Sequence, residues 1–171
     1  MANSLVKSKR KVALVTGGSR RIGAVIVRRL HSNGMNVAIH YRKSELHARL
    51  LRDELNEQRP DSAKMFPADF NDLTKIERFA NRVITQFGRL DVLVNNASKF
   101  ESESDTALTT DQYQALLDVH IGAPYYLTLA VAPALKESKG CIVNITDIYA
   151  HRSKHTQHLS LIHISEPTRP Y

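Results

Sequence analysis

The run Thr16 to Gly23 reads TGGSRRIG and carries the densest chemical signal in the chain. Glycines at 17, 18 and 23 permit a tight turn and let backbone amides come close to a charged group. An unbroken apolar run, Val12 to Val15, precedes it, and an amphipathic segment follows from Arg21. A glycine turn between a buried strand and a helix start is an anion cradle. The first helical amides lack internal acceptors, and the helix dipole favours negative charge. The expected chemistry is pyrophosphate binding by Gly17, Ser19, Arg20, Arg21, Ile22 and Gly23.

A second cluster decides which dinucleotide is expected. At the end of the second apolar run stand His40, Tyr41, Arg42, Lys43 and Ser44. A carboxylate there would bind ribose hydroxyls and select NAD. None is present. Arg42 and Lys43 supply positive charge and Ser44 a hydroxyl, which match a 2′-phosphate, so the cofactor expected is NADP with Tyr41 beside it. A third position, Asp147, follows the run Cys141 to Ile145 and lies two residues before Tyr149. An aspartate among apolar neighbours is suited to holding and giving a proton. The other reading of Asp147 is a strand-end cap for nearby amides.

These positions need elements to hold them. Short apolar runs predict strands at Val12–Thr16, Asn36–His40, Lys64–Phe66, Asp91–Asn95 and Cys141–Ile145. Helices are predicted at Arg21–Ser32, Ser44–Gln58, Leu73–Phe87 and Thr110–Leu135. Gly34 is expected as a C-cap and Ser44 as an N-cap, while Pro124 predicts a kink or a late helix start. The alternation indicates an α/β fold, a Rossmann-like doubly wound parallel sheet.

Composition narrows the partners. The 171 residues are 42% hydrophobic and 24% charged, as expected for one globular domain. The net charge of +7 is dispersed and no recognition motif accompanies it, so nucleic acid is not an expected partner. No apolar stretch is expected to span a bilayer. Cys141, the single cysteine, reads as a small buried residue of a reducing compartment, and the cytoplasm is the expected location. Histidines other than His120, including His151, His155 and His158, are expected at the surface, with no metal-ligand spacing and hence no metal.

With these residues assembled, the chain resembles the short-chain dehydrogenase/reductase superfamily and, within it, the pteridine reductases, over nearly all of Val12 to His158. Arg21 stands where the superfamily usually has glycine, as in the pteridine branch. Asn95, Asn96, Ala97 and Ser98, followed by Phe100, are similar to that branch in carrying serine and a nearby aromatic. Ala68, Asp69 and Phe70 resemble the segment whose acid meets adenine. Asp147 stands where most relatives have a catalytic serine, and His120 where they usually have an asparagine.

The resemblance implies roles. Arg21 would bridge cofactor phosphate and substrate, and Asp69 and Phe70 would border adenine. Asn96 and Ala97 would line the middle of the cofactor, and Ser98 would bond substrate or cofactor. Phe100 would stack on a pterin, and Asp147 would act in a proton relay with a tyrosine and a lysine. The family's spacing puts that tyrosine at Ser160 and that lysine at Ile164, and neither residue present can take the role. The intact parent is expected to be a tetramer, with about five of the family's seven strands in this chain.

Residues 159–171 are expected to be non-native, because Leu159 to Arg169 matches one reading frame of a transposase adapter used in short-read library preparation. Residues 1–158 are then the NADP-binding domain, the front of a longer reductase. Two alternatives stay open, a short-chain reductase of small carbonyl compounds and a fragment that binds NADP without turnover.

Overall fold

The computed structural model of the chain describes residues 10–99 and 109–146. Strand β1 (Val12–Val15) is apolar throughout because both its faces are covered, and all four residues are fully buried. It lies between β2 (Asn36–Tyr41) and β4 (Val92–Asn95). Outside them run β3 (Ala63–Pro67) and β5 (Cys141–Asn144), giving a parallel sheet of order 3-2-1-4-5. Parallel neighbours require crossovers, here α1 (Arg21–Ser32), α2 (Glu45–Gln58), α3 (Ile76–Phe87), and the pair α4 (Thr110–Leu117) and α5 (Ala123–Ser138). After β3 the chain returns to the other side of β1, which makes the carboxyl ends of β1 and β4 the switch point of the sheet.

Strand residues alternate between two cores. Val15, Val37 and Ile39 pack with Val27 of α1 and Leu51 and Leu55 of α2. Leu14 and Leu93 pack on the other face with Phe79 and Val83 of α3 and Leu127 and Val131 of α5. At the amino ends of the strands the buried Asp91 carboxylate accepts from the Val12 amide (2.8 Å) and from Arg89 Nε (2.9 Å) and Nη2 (2.5 Å). The Asp91 amide reaches the Val12 carbonyl and its carbonyl accepts from the Cys141 amide, both at 2.9 Å, so one residue joins β1, β4 and β5. Its carboxylate holds the Arg89 guanidinium above its ordinary pKa by hydrogen bonding.

Several expectations need correction. Leu73–Lys75 is a short 3-10 turn before α3, and Asp91 precedes β4 without joining it. The long fourth helix is interrupted by a π turn, Asp118–Gly122, and Pro124, which lacks an amide to donate, follows it as the second residue of α5. Gly34 does follow α1 in the left-handed region (φ 86°) and donates to the His31 carbonyl. Ser44 precedes α2, yet its hydroxyl meets Ser19 Oγ at 2.6 Å and does not cap the helix.

Cys141 is exposed because β5 is a sheet edge whose four residues are all exposed. His31 and His40 are buried, His31 against Ser62 Oγ at 2.7 Å. Thr110–Ser138 forms 29 helical residues, long and apolar enough by length and composition to cross a membrane. Leu127, Val131 and Leu135 on that helix close the core beside α3, so it serves here as a wall of the domain.

The two sheet edges differ. On β3 the Asn56 side chain exchanges two hydrogen bonds with Ala63 (3.0 and 2.9 Å), and Pro67 lacks a donor, which blunts that edge. On β5, Ile142 and Val143 remain exposed. Asp91→Ala is expected to lower stability by about 3 kcal/mol, because it strands both a buried amide and a guanidinium. Arg89→Ala should lower it less. Urea denaturation of the two variants gives the ranking, and equal losses would contradict it.

Candidate functional site

The site is built where β1, β2 and β4 end. Thr16, the first residue after β1, is buried, and its hydroxyl is saturated. Oγ1 donates to the Val94 carbonyl (3.3 Å) and accepts from the amides of Asn96 (2.8 Å) and Ala97 (2.9 Å). Asn96 Nδ2 donates back to the carbonyls of Thr16 (2.9 Å) and Gly17 (3.2 Å). The turn after β1 and the turn after β4 are thus one hydrogen-bonded unit.

Two glycines are required by this geometry. Gly17 has φ 61°, a left-handed conformation. A Cβ on Gly23 would lie 2.2 Å from the Gly17 carbonyl oxygen and 2.7 Å from Asn96 Nδ2. The first turn of α1 therefore sits directly on the glycine turn. Arg21 also has a left-handed backbone, φ 49°, which in an L residue costs on the order of 1–2 kcal/mol. Its side chain is exposed, as are those of Arg20 and Ile22.

At the end of β2, Arg42 and Lys43 are exposed, and among the described residues neither is in an ion pair. Ser19 and Ser44, joined through their hydroxyls, tie the glycine turn to the start of α2. Tyr41 is buried, and desolvation raises its hydroxyl pKa with Glu45 adding to the shift. Its ring forms wall. Asp69 is exposed, and its Oδ1 accepts from the Asn71 amide (3.0 Å) and side chain (2.8 Å).

The Phe70 ring, expected beside the cofactor, is instead 4% exposed in the core. It is stacked on His40 at 4.1 Å and meets Phe79 edge-on. Ser98 is exposed beside Ala97. His120, in the π turn, brings Nε2 within 2.9 Å of the Lys99 carbonyl oxygen and 3.3 Å of its amide, next to Ser98. Phe100, Asp147 and Tyr149, together with Ser160 and Ile164, lie outside the described residues.

Sequence reasoning missed two residues. Thr16 was readable as the hydroxyl that ends a buried strand, and His40 as a member of an inner strand whose neighbours Ile39 and Tyr41 are apolar. His40 Nδ1 accepts from the Gly17 amide (3.0 Å), and Nε2 lies 3.2 Å from the Ala68 carbonyl oxygen, to which it donates. Burial pushes its pKa from the ordinary 6.5 down to about 4, with the Ala68 hydrogen bond and the charge of Asp69 acting in the opposite direction.

Residues 11–158 match the short chain dehydrogenase family. An uncharacterized oxidoreductase of Staphylococcus epidermidis is 32% identical over 145 residues, covering 84% of this chain and 61% of the relative. One from Staphylococcus aureus is 31% identical over 139 residues, covering 81% and 58%. The chain thus spans about three fifths of the length of the curated relatives it matches. Among solved structures, a blue fluorescent protein from a metagenomic library, in complex with NADPH, superposes with a TM-score of 0.78 at 35% identity. That likeness covers 85% of this chain and 59% of that one.

The buried His40 makes stability depend on pH. The unfolded chain takes up a proton near 6.5, whereas the folded chain resists until about 4. Stability is therefore full above 6.5 and falls as pH drops towards 4, by on the order of 3 kcal/mol in total. His31, also pushed down by burial and by Arg59, adds to the same slope. Denaturation curves between pH 7 and pH 4.5 should flatten in part for His40→Asn, and an unchanged slope would contradict this.

Proposed function

The chain belongs to the short chain dehydrogenase family, and from that premise we propose that it is the NADP-binding front of a reductase acting on pterin-like rings. A Cβ on Gly23 would fill the space between the Gly17 carbonyl and Asn96, so the glycine keeps the first turn of α1 close against the phosphate turn. The amides from Ser19 to Gly23 would hold the pyrophosphate, and Arg42, Lys43 and Ser44 the 2′-phosphate. Asp69 would meet adenine, while Asn96 and Ala97 would border the central portion. When bound, the reduced nicotinamide supplies hydride, and the protein's task is to orient the substrate and hold a proton.

The observation that carries the pterin reading is Arg21. A left-handed backbone at a non-glycine residue is strain, and strain kept at a ligand turn points to a side chain in use. Its guanidinium would bridge a phosphate and a flat, heteroatom-rich ring. Ser98 would bond that ring, Phe100 would stack on it, and Asp147 would hold the proton with a tyrosine and a lysine. With serine and isoleucine at positions 160 and 164, the chain as written binds cofactor without turnover. Turnover belongs to a parent carrying the tyrosine and lysine, a cytoplasmic tetramer with a small-molecule substrate.

Fluorescence titration tests the cofactor half of this reading. NADPH should bind at least about tenfold more tightly than NADH, a difference of about 1.4 kcal/mol. The double change Arg42→Ala with Lys43→Ala should erase that preference and leave NADH binding unchanged. Equal affinities in the unaltered chain would contradict the assignment.

The substrate half needs the parent, recovered by sequencing the source DNA past the codon of Thr146. Dihydropterins should be reduced in preference to small ketones. Arg21→Gly should cut kcat/KM for the pterin at least about tenfold and weaken NADPH binding as well, because the same guanidinium bridges both. A parent that prefers ketones would overturn the pterin reading.

A further inference from the structure

We propose that His40 is a positioning residue for the cofactor: one ring holds the Gly17 amide and the Ala68 carbonyl together, presetting the phosphate turn and the adenine-side loop as a single cradle. The inference rests on the reading above that this cradle takes NADP.

The hydrogen bonds assign the ring's tautomer. Gly17 N–H needs an acceptor, so Nδ1 is unprotonated (3.0 Å), and the Ala68 carbonyl needs a donor, so Nε2 carries the proton (3.2 Å). The same residue's carbonyl accepts from the Gly18 amide at 2.9 Å. His40 thereby takes up the first two amides of the turn, directs them inward, and leaves the amides from Ser19 onward for a ligand.

On the other side, Ala68 is followed by Asp69, the residue expected at adenine, and by Phe70, whose ring lies 4.1 Å from the imidazole at an interplanar angle of 12°. Phe79 closes the pocket edge-on at 5.3 Å. The 68–70 segment is therefore fixed through both its backbone and a ring. A residue here must accept at one end, donate at the other and show apolar faces between. Neutral histidine meets all three demands. Asparagine provides the near acceptor alone and glutamine the far donor alone.

That division gives the test. In the ¹⁵N-labelled chain without cofactor, a through-hydrogen-bond nitrogen–nitrogen coupling should join Gly17 N to His40 Nδ1, with the proton on Nε2. In fluorescence titrations with NADPH, His40→Asn, which keeps the Gly17 acceptor and loses the Ala68 tie, should bind about threefold more weakly than the unaltered chain, and His40→Gln at least about tenfold more weakly. Thermal melts of both variants should fall by similar amounts. Equal NADPH affinities for the two variants, or the opposite tautomer, would reduce His40 to a space-filling core residue.

Should His40→Gln fail to fold, the coupling and the exchange protection of the Gly17 amide in the unaltered chain decide the matter. If that chain binds no NADPH while the coupling is present, the cofactor reading fails and takes the assignment of a ligand with it. If it binds NADPH without the coupling, the inference alone fails.

Discussion

The hydroxyl of Thr16 is the contact on which the mouth of the sheet depends. It has one proton and two lone pairs, and all are used: the proton on Val94 and the lone pairs on the amides of Asn96 and Ala97. Without it, two part-buried amides just past β4 would lose their acceptor. Its larger effect is geometric. The two turns that flank the switch point diverge from adjacent strands, and nothing in the strand ladder dictates their separation beyond the last paired residue. The hydroxyl does so, and Asn96 repeats the tie in the other direction through the carbonyls of Thr16 and Gly17.

Polar groups are used differently at the two ends of the sheet. At the amino end, Asp91 is surrounded by donors and acceptors of the protein itself, and its charge is neutralised by Arg89. That end is closed. At the carboxyl end the inward-facing groups are satisfied by Thr16, His40 and Asn96, while Arg20, Arg21, Arg42 and Lys43 stand exposed. The surplus of positive charge read from the composition is therefore concentrated, in part, around a turn whose backbone already favours an anion.

How far the sequence was legible follows from the physics of each residue. The strands, the crossover helices and the glycine turn were readable because periodicity and glycine placement are local signals with a single good solution. The misreadings have a common origin. Cys141 lies in an apolar run, yet its burial depends on whether a further layer covers β5, which no local pattern encodes. His40 looks polar, but an imidazole with both nitrogens bonded and two phenyl rings against it is satisfied in a core. The Ser44 hydroxyl had two possible uses, capping α2 or meeting Ser19, and tertiary contact decided for Ser19. On the substrate side Asp147 was legible from its apolar neighbours and the other residues only through resemblance, and Phe100 and Asp147 lie outside the described residues.

Arg21 shows how such a site can hold a residue that local preference disfavours. Glycine is the easy choice at φ 49°, and arginine there raises the energy of the turn. The surroundings leave the backbone little alternative. Gly23 is pressed against the Gly17 carbonyl, the Ala24 amide is bonded to the Arg20 carbonyl, and Gly17 and Gly18 are held by His40. A turn constrained at that many points keeps its shape whatever side chain position 21 carries, so the identity of that side chain is free to answer to a ligand. The rigidity contributed by His40 and Thr16 is in this sense what permits a charged side chain at the mouth, and a change in either should alter how position 21 presents its guanidinium before it alters the fold.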